Sequence, residues 1–483
     1  MATDRNEAWR EELRKAKSPK ERTAQPRVQM NSLDPKYRAR CREEVNQGLT
    51  AEQARAEASR CMDCPNPTCM TGCPVSINIP GFIKNIERGE FIQAADVLKE
   101  TSALPAVCGR VCPQEKQCES QCMYIKMKKE PVAIGYLERF AADYARENGA
   151  KKADASNIKK NGIKVAVVGS GPAGLSFAGD MIKKGYDVTV FEALHEIGGV
   201  LKYGIPEFRL PNSVVEAEID NLRALGVNFI KNCIVGKTIS VDELKADGFK
   251  GIFVASGAGL PRFMGIEGEN LTGIMSSNEY LTRVNLMDAG NPDTDTPVLK
   301  GKNVVVVGGG NTAMDSVRTA LRMGAERAII VYRRGEDEMP ARLEEVHHAK
   351  EEGVEFMTLH NPIQYIGDEN GRVVKVRLQK MELGEPDASG RRSPVEIPGA
   401  IVEVDCDEVI VSIGVSPNPI VPNSVAGLSV SKKGTIEVNE GMQSSLPMLF
   451  AGGDIVRGGA TVILAMGDGR RAAAAMDEYL KNA

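Results

Sequence analysis

The sequence predicts an α/β protein in which a helical N-terminal segment precedes two Rossmann-type nucleotide-binding domains, the second inserted in the first. Three observations carry this prediction. Nine of the eleven cysteines lie before residue 123, in a stretch rich in Ala, Glu, Arg and Lys. A strand, glycine turn and helix at 164–185 (KVAVVGSGPAGLSFAGDMIKKG) returns at 303–324 (NVVVVGGGNTAMDSVRTALRMG), an internal duplication of a β-α-β unit. Strand-like segments at 251–258 and 408–415 bracket the second copy as crossing points between domains. The expected domains are 1–160, 161–285 together with 416–483, and 286–415, with the polar stretch ENGAKKADASNIKKNG as the first linker.

Composition excludes several classes. At 483 residues the chain has room for roughly three domains of about 150 residues. Its 42% hydrophobic and 26% charged residues are ordinary for a globular protein. Net charge is −4 with both signs interspersed, which gives no footprint for nucleic acid. The N-terminus has no apolar signal region and no run of about 18 apolar residues follows, so a cytoplasmic location without membrane association is expected.

In the first segment, helical-period stretches at 50–61, 83–100 and 136–148 alternate with cysteine loops. Cys61-x2-Cys64-x4-Cys69-x3-Cys73-Pro74 and Cys108-x3-Cys112-Pro113-x5-Cys118-x3-Cys122 supply eight thiols in two groups, close to the need of two [4Fe-4S] clusters. Iron takes soft thiolates, and tight spacing lets one loop wrap a cluster. Structural zinc is the competing reading, but its paired C-x2-C knuckles are missing, since only one C-x2-C occurs. Disulfides would be spread along the chain. Spacing alone leaves the pairing of ligands to clusters open.

The first fingerprint, Gly169-x-Gly171-Pro172-Ala173-Gly174, follows an apolar strand and opens a helix, the context in which backbone N–H groups and the helix terminus bind a pyrophosphate. Glu192 ends the next strand, where a carboxylate accepts from a ribose 2′-hydroxyl, as FAD requires. The second fingerprint is Gly308-x-Gly310-Asn311-Thr312-Ala313, and the position matching Glu192 is Arg333, followed by Arg334. Two guanidiniums in place of a carboxylate select the 2′-phosphate of NADP(H). Near the end of the chain, Gly453-Asp454 offers a carboxylate to a flavin ribityl chain, and a helix starting at Thr461-Val462 brings its N-terminus towards reduced flavin.

These motifs resemble the small (β) subunit of NADPH-dependent glutamate synthase and its relatives, among them the N-terminal half of dihydropyrimidine dehydrogenase and the large subunit of NADH-dependent ferredoxin:NADP oxidoreductase. The resemblance covers nearly the whole chain. Its carriers are RCMDCPNPTCMTGCPVSINIPGFI, CGRVCPQEKQCESQC, VAIGYLERF, GSGPAGL, GGVLKYGIPEFRLP, GGGNTAMD, YRR and AGGD. It implies one cluster on Cys61, Cys64, Cys69 and Cys122 and a second on Cys73, Cys112 and Cys118, with Glu138 as fourth ligand. Cys108 would be a non-ligand, and Cys41, Cys233 and Cys406 ordinary thiols. It also implies Gly199, Leu201, Arg209 and Thr461 around FAD, and Asn311, Thr312, Arg333 and Arg334 around NADPH.

Hydride transfer from nicotinamide to flavin needs stacking and exclusion of water rather than an acid or base. No catalytic side chain is therefore expected, and His195, His347, His348 and His360 read as surface or packing residues. FAD takes two electrons and each cluster one, so the flavin is expected to split hydride into single electrons. The resemblance implies a hetero-oligomer in which a large partner subunit makes glutamate from glutamine and 2-oxoglutarate; the chain's Met1-Ala2 start offers no nucleophilic cysteine for that step. The alternatives are the large subunit of a bifurcating ferredoxin:NADP oxidoreductase, paired with a ferredoxin-linked subunit, and an electron-relay or scaffold subunit with a vestigial nucleotide site. A disulfide reductase is disfavoured because Cys233 stands alone.

Overall fold

A computed structural model describes residues 4–149 and 154–482. The Met1-Ala2 start and the middle of the first linker lie outside the described residues. No described helix is long and apolar enough to cross a membrane.

The N-terminal region is helical. Thr50 caps helix Ala51–Ala58 through a reciprocal bond with Gln53. The helix expected over 83–100 is two helices, Ile79–Arg88 and Phe91–Lys99, because Gly89 between them adopts a φ of +90°, a left-handed stop. Helix Ile134–Glu147 crosses helix Pro105–Val111 so closely that a Cβ on Gly109 would stand 2.5 Å from the Arg139 nitrogen.

Two five-stranded parallel sheets follow. The first runs Leu449–Ala451, Phe249–Val254, Lys164–Val168, Asp187–Phe191, Asn228–Ile230. The second runs Glu355–Thr358, Arg327–Tyr332, Asn303–Val307, Glu408–Val411, Ile274–Ser276. Each puts its glycine-fingerprint strand at the centre with a later strand on its far side, so the chain reverses direction beside the glycine turn, where α/β sheets open their ligand crevice. The valines of both central strands are buried, as fully covered parallel strands require.

The domain crossing is the antiparallel pair Leu260–Pro261 and Val415–Ser416. It begins two residues after the expected 251–258 segment and at the last residue of the expected 408–415 segment, whose main parts are strands within their own sheets. Strand Ile274–Ser276 pairs with Val409–Val411, so this part of 161–285 lies with the second sheet, a correction to the expected boundary. Three residues at a sheet edge are too few to display a period in sequence. An antiparallel sheet of His360–Gly367, Val373–Pro386 and Arg392–Asp405, not anticipated from sequence, covers the second unit.

The helical region touches both units. Pro74 lies against the C-terminal helix Val462–Asn482, where a Cβ on Gly467 would be 2.9 Å from its carbonyl. Arg342 Nη1 donates to the Arg110 carbonyl at 2.5 Å, and Arg38 Nε reaches Glu352 at 3.2 Å.

Candidate functional site

The two glycine turns repeat the same construction. Gly169 N donates to the Phe191 carbonyl at 2.8 Å and Gly308 N to the Val331 carbonyl at 2.9 Å. Both adopt positive φ, +100° and +143°, and a Cβ on either would collide with the carbonyl of the strand across the switch point, Ala255 or Ser412. Gly171 instead faces open space, and a Cβ on Gly310 would meet only Pro340 Cγ at 4.0 Å, leaving the backbone of both free for a close ligand. A Cβ on Gly174 would sit 2.0 Å from the Gly169 carbonyl, whereas Ala313 is accommodated and fully buried in the second copy.

Between the units lies a cleft of about 490 Å³. Gly169, Gly171, Pro172, Ala173, Glu192, Gly199, Arg209, Gly453, Asp454 and Thr461 line it, joined from the second unit by Asn311 and Thr312. Gly174 and Leu201 lie buried behind the wall. Glu192 is held rigidly: it accepts from Ser170 N at 2.9 Å, Ser170 Oγ at 2.5 Å and Leu194 N at 2.8 Å. Burial raises the Asp454 carboxyl above its ordinary range. The arrangement fits a flavin dinucleotide, with a glycine cradle, a fixed carboxylate at one end and a helix N-terminus at the other.

Arg333 is exposed at the end of strand Arg327–Tyr332, while Arg334 is buried and donates from Nη2 to Asp387 at 2.7 Å. Neither lines the cleft.

The cysteines of the N-terminal region fall into two spatial groups. Cys61, Cys64, Cys69 and Cys122 line one apolar cavity with Ile79, Ile83, Val132 and Ile134. Burial pushes the Cys61 thiol up to about 11, and burial with the neighbouring thiols raises Cys69 further. Four thiolates in such a cavity need a compensating positive charge, which bound iron supplies. Cys73, Cys112, Cys118 and Glu138 form the other group. Burial raises Cys73 to about 11, and Glu138 and Cys112 act on it as well. Glu138 is buried, its Oε1 has no hydrogen-bond partner, and burial pushes its carboxyl up to about 8. A buried carboxyl oxygen without a partner beside these thiols fits a donor to a metal cluster. Cys108 lies beside Cys112, within hydrogen-bonding reach of its thiol, and its Sγ also stands 3.4 Å from Met466 Sδ. Among the described residues no three His, Cys, Asp or Glu groups close on a single ion. Donors set around a cavity suit a multi-iron cluster, which takes one ligand per corner.

Several residues of the site escaped sequence reasoning. Asp315, on helix Asn311–Arg322, lines the cleft and accepts from Arg209 Nη1 at 2.8 Å. Asp468 accepts from Gly453 N at 3.0 Å and from Arg457 Nε at 2.6 Å, fixing the loop that carries Asp454. Val111 lines the cleft immediately before Cys112, so the second thiol group abuts the flavin side.

Residues 38–150 match the family described as "Dihydroprymidine dehydrogenase domain II, 4Fe-4S cluster", and residues 163–469 match "Pyridine nucleotide-disulphide oxidoreductase". Among similar proteins, the Escherichia coli (strain K12) glutamate synthase [NADPH] small chain is 38% identical over 91% of this chain and 94% of its own length. The Azospirillum brasilense glutamate synthase [NADPH] small chain is 38% identical over 91% of each chain. The NADP(+)-dependent formate dehydrogenase subunit beta of Moorella thermoacetica is 38% identical over 86% of this chain and 60% of that protein. Of solved structures, Mycobacterium tuberculosis FprA in complex with NADPH superimposes with a TM-score of 0.57 at 21% identity, over 67% of this chain and 85% of that one, a likeness of fold.

Proposed function

Because the chain belongs to the family of small chains of NADPH-dependent glutamate synthase, we propose that it oxidises NADPH and passes electrons through two [4Fe-4S] clusters to a large glutamate-forming subunit. It is an NADPH-dependent FAD and iron–sulfur oxidoreductase subunit. The observation that carries the finer reading is the junction at Val111 and Cys112, where the wall of the cleft runs directly into a thiol group.

In this reading the chain's own groups bind, orient and shield. Gly169, Gly171 and the N-terminus of helix Pro172–Lys183 hold the FAD pyrophosphate, and Glu192 its ribose. Asp454 and Thr461 line the cleft with Arg209, and all three would hold the flavin half of FAD when it is bound. Asn311 and Thr312 place the nicotinamide half of NADPH, while Arg333 and Arg334 take its 2′-phosphate. Cys61, Cys64, Cys69 and Cys122 hold one cluster, and Cys73, Cys112, Cys118 and Glu138 the other. When bound, these groups supply the redox chemistry: a hydride in, single electrons out. The partner is the large subunit, which turns glutamine and 2-oxoglutarate into glutamate. The beta subunits among its relatives support a hetero-oligomer.

The test is anaerobic purification with bound partners, followed by iron, sulfide and flavin content, NADPH:dye reduction, and NADPH-driven turnover of glutamine and 2-oxoglutarate. Zinc in place of iron and sulfide, or no reduction of dye, overturns the reading. Dye reduction without glutamate formation by the co-purified assembly overturns the identity of the partner alone.

A further inference from the structure

The hairpin between strands Val373–Pro386 and Arg392–Asp405 belongs to neither parallel sheet, yet its tip returns to the second nucleotide-binding unit. The tip is a built turn: Asp387 N donates to the Arg391 carbonyl at 2.8 Å, and Arg391 Nε to Ser389 Oγ at 3.0 Å. Asp387 Oδ2 accepts from Arg334 Nη2 at 2.7 Å. Arg334 is only 7% exposed, and its Nη1 is buried with no hydrogen-bond partner. A guanidinium tied on one arm and empty on the other, in a site that excludes water, is costly until an anion fills it.

Tyr332 connects the tip to the glycine turn. A Cβ on Gly309 would lie 2.8 Å from its ring, so the ring packs on the loop itself. Burial raises the Tyr332 phenol, while Arg391, Arg334 and Arg333 all pull it down, which gathers three cations about one side chain.

We propose that the 387–391 hairpin completes the pocket for the 2′-phosphate of NADPH, with Arg391 as a third cation and Asp387 as the positioning residue that aims the free arm of Arg334. The inference rests on the NADPH reading above and deepens it. Cofactor preference is then set in part by a sheet outside the nucleotide fold. A phosphate dianion accepts from several guanidinium N–H groups at once, and each charge-assisted bond adds discrimination that an unphosphorylated ribose cannot return.

The experiment measures binding of 2′,5′-ADP and 5′-ADP to the full, flavin-loaded chain by calorimetry. Arg391→Ala weakens 2′,5′-ADP by about tenfold, the loss of one charge-assisted bond, and leaves 5′-ADP within about twofold. Asp387→Asn weakens 2′,5′-ADP in the same selective way, and Arg391→Lys restores part of the loss. Arg391 is half-buried on a turn, and parental melting of the variants certifies the fold. Parental affinity for 2′,5′-ADP in Arg391→Ala, or equal losses for both ligands, overturns the proposal. A parent that does not prefer 2′,5′-ADP over 5′-ADP overturns the NADPH reading itself.

Discussion

Arg209 Nη1 and Asp315 Oδ2 stand 2.8 Å apart, a buried ion pair that joins the two nucleotide-binding units at the wall of their shared cleft. Asp315 Oδ1 has no hydrogen-bond partner, and Arg209 Nε lies 3.5 Å from Glu345 Oε1, so the guanidinium is held between two carboxylates. Asp315→Ala leaves a buried guanidinium without its closest carboxylate. We expect flavin content to be retained and the rate of NADPH-dependent flavin reduction to fall about tenfold, roughly 1.4 kcal/mol of barrier. Stopped-flow absorbance at the flavin band checks this, and a parental rate would make the pair merely structural.

Burial raises the Asp315 carboxyl from 3.8 to about 6, despite the pull of Arg209. The folded chain therefore takes up this proton at higher pH than the unfolded chain. The group's contribution to stability is complete below the unfolded value of 3.8 and is lost as pH rises through about 6. Asp315→Asn cannot titrate and should lack that decline. Melting of the cofactor-free chain between pH 4 and 7 measures it, and identical profiles for parent and variant would contradict the assignment.

Glu352 gathers Arg318 through bonds of 3.0 and 2.7 Å, Arg322 at 2.8 Å and Arg38 of the helical region at 3.2 Å. Burial pushes its carboxyl up, but Arg318 and Arg322 win and hold it at about 2. Its stabilisation is thus complete above about pH 4.5 and lost as pH falls towards 2. Glu352→Ala leaves the buried Arg322 without a carboxylate, while Arg318 keeps Glu345 and Arg38 keeps Glu351, a loss of about 3–5 kcal/mol. Urea unfolding at neutral pH should register it, and a change below 1 kcal/mol would show that the network relaxes.

Cys122→Ser removes one donor from the cavity shared with Cys61, Cys64 and Cys69, whereas Cys108 lies outside that cavity between Cys112 and Met466. Anaerobically prepared Cys122→Ser should carry about half the parental iron and sulfide, one cluster of two, and Cys108→Ser the full amount. The reverse pattern would exchange their roles.

Gly174→Ala and Gly171→Ala separate folding from binding. The first drives a methyl to 2.0 Å from the Gly169 carbonyl and should lower the melting temperature of the cofactor-free chain. The second projects into open cleft and should leave melting unchanged while weakening FAD at least tenfold. Equal flavin affinity in parent and Gly171→Ala would remove this loop from the site.

Features written in contiguous residues were legible in sequence. The glycine turns, Glu192 and the cysteine groups need only a strand, a turn and a fixed count, and the structure brings them to a cleft and two thiol clusters. What depends on distant partners was not legible. Asp315 resembles any helical aspartate until Arg209 arrives from 106 residues away. Arg334 reads as a free cation until the hairpin delivers Asp387. The antiparallel sheet had a usable signal, turns at 368–371 and 387–390 between alternating strands, obscured by the stronger texture of the units around it. Gly89 marked the break in the 83–100 helix, but a single glycine also occurs within helices.

The inserted topology also governs when the flavin site can exist during synthesis. Gly169 and Asp454 are 285 positions apart, since 454 minus 169 is 285, and the whole second unit is translated between them. At about 5–20 residues per second, the first glycine loop waits roughly 15–60 s for its counterpart to emerge. A nascent chain carries the dinucleotide-binding half of the site long before the strand and helix that close it, so flavin is captured only after the whole second unit has been made.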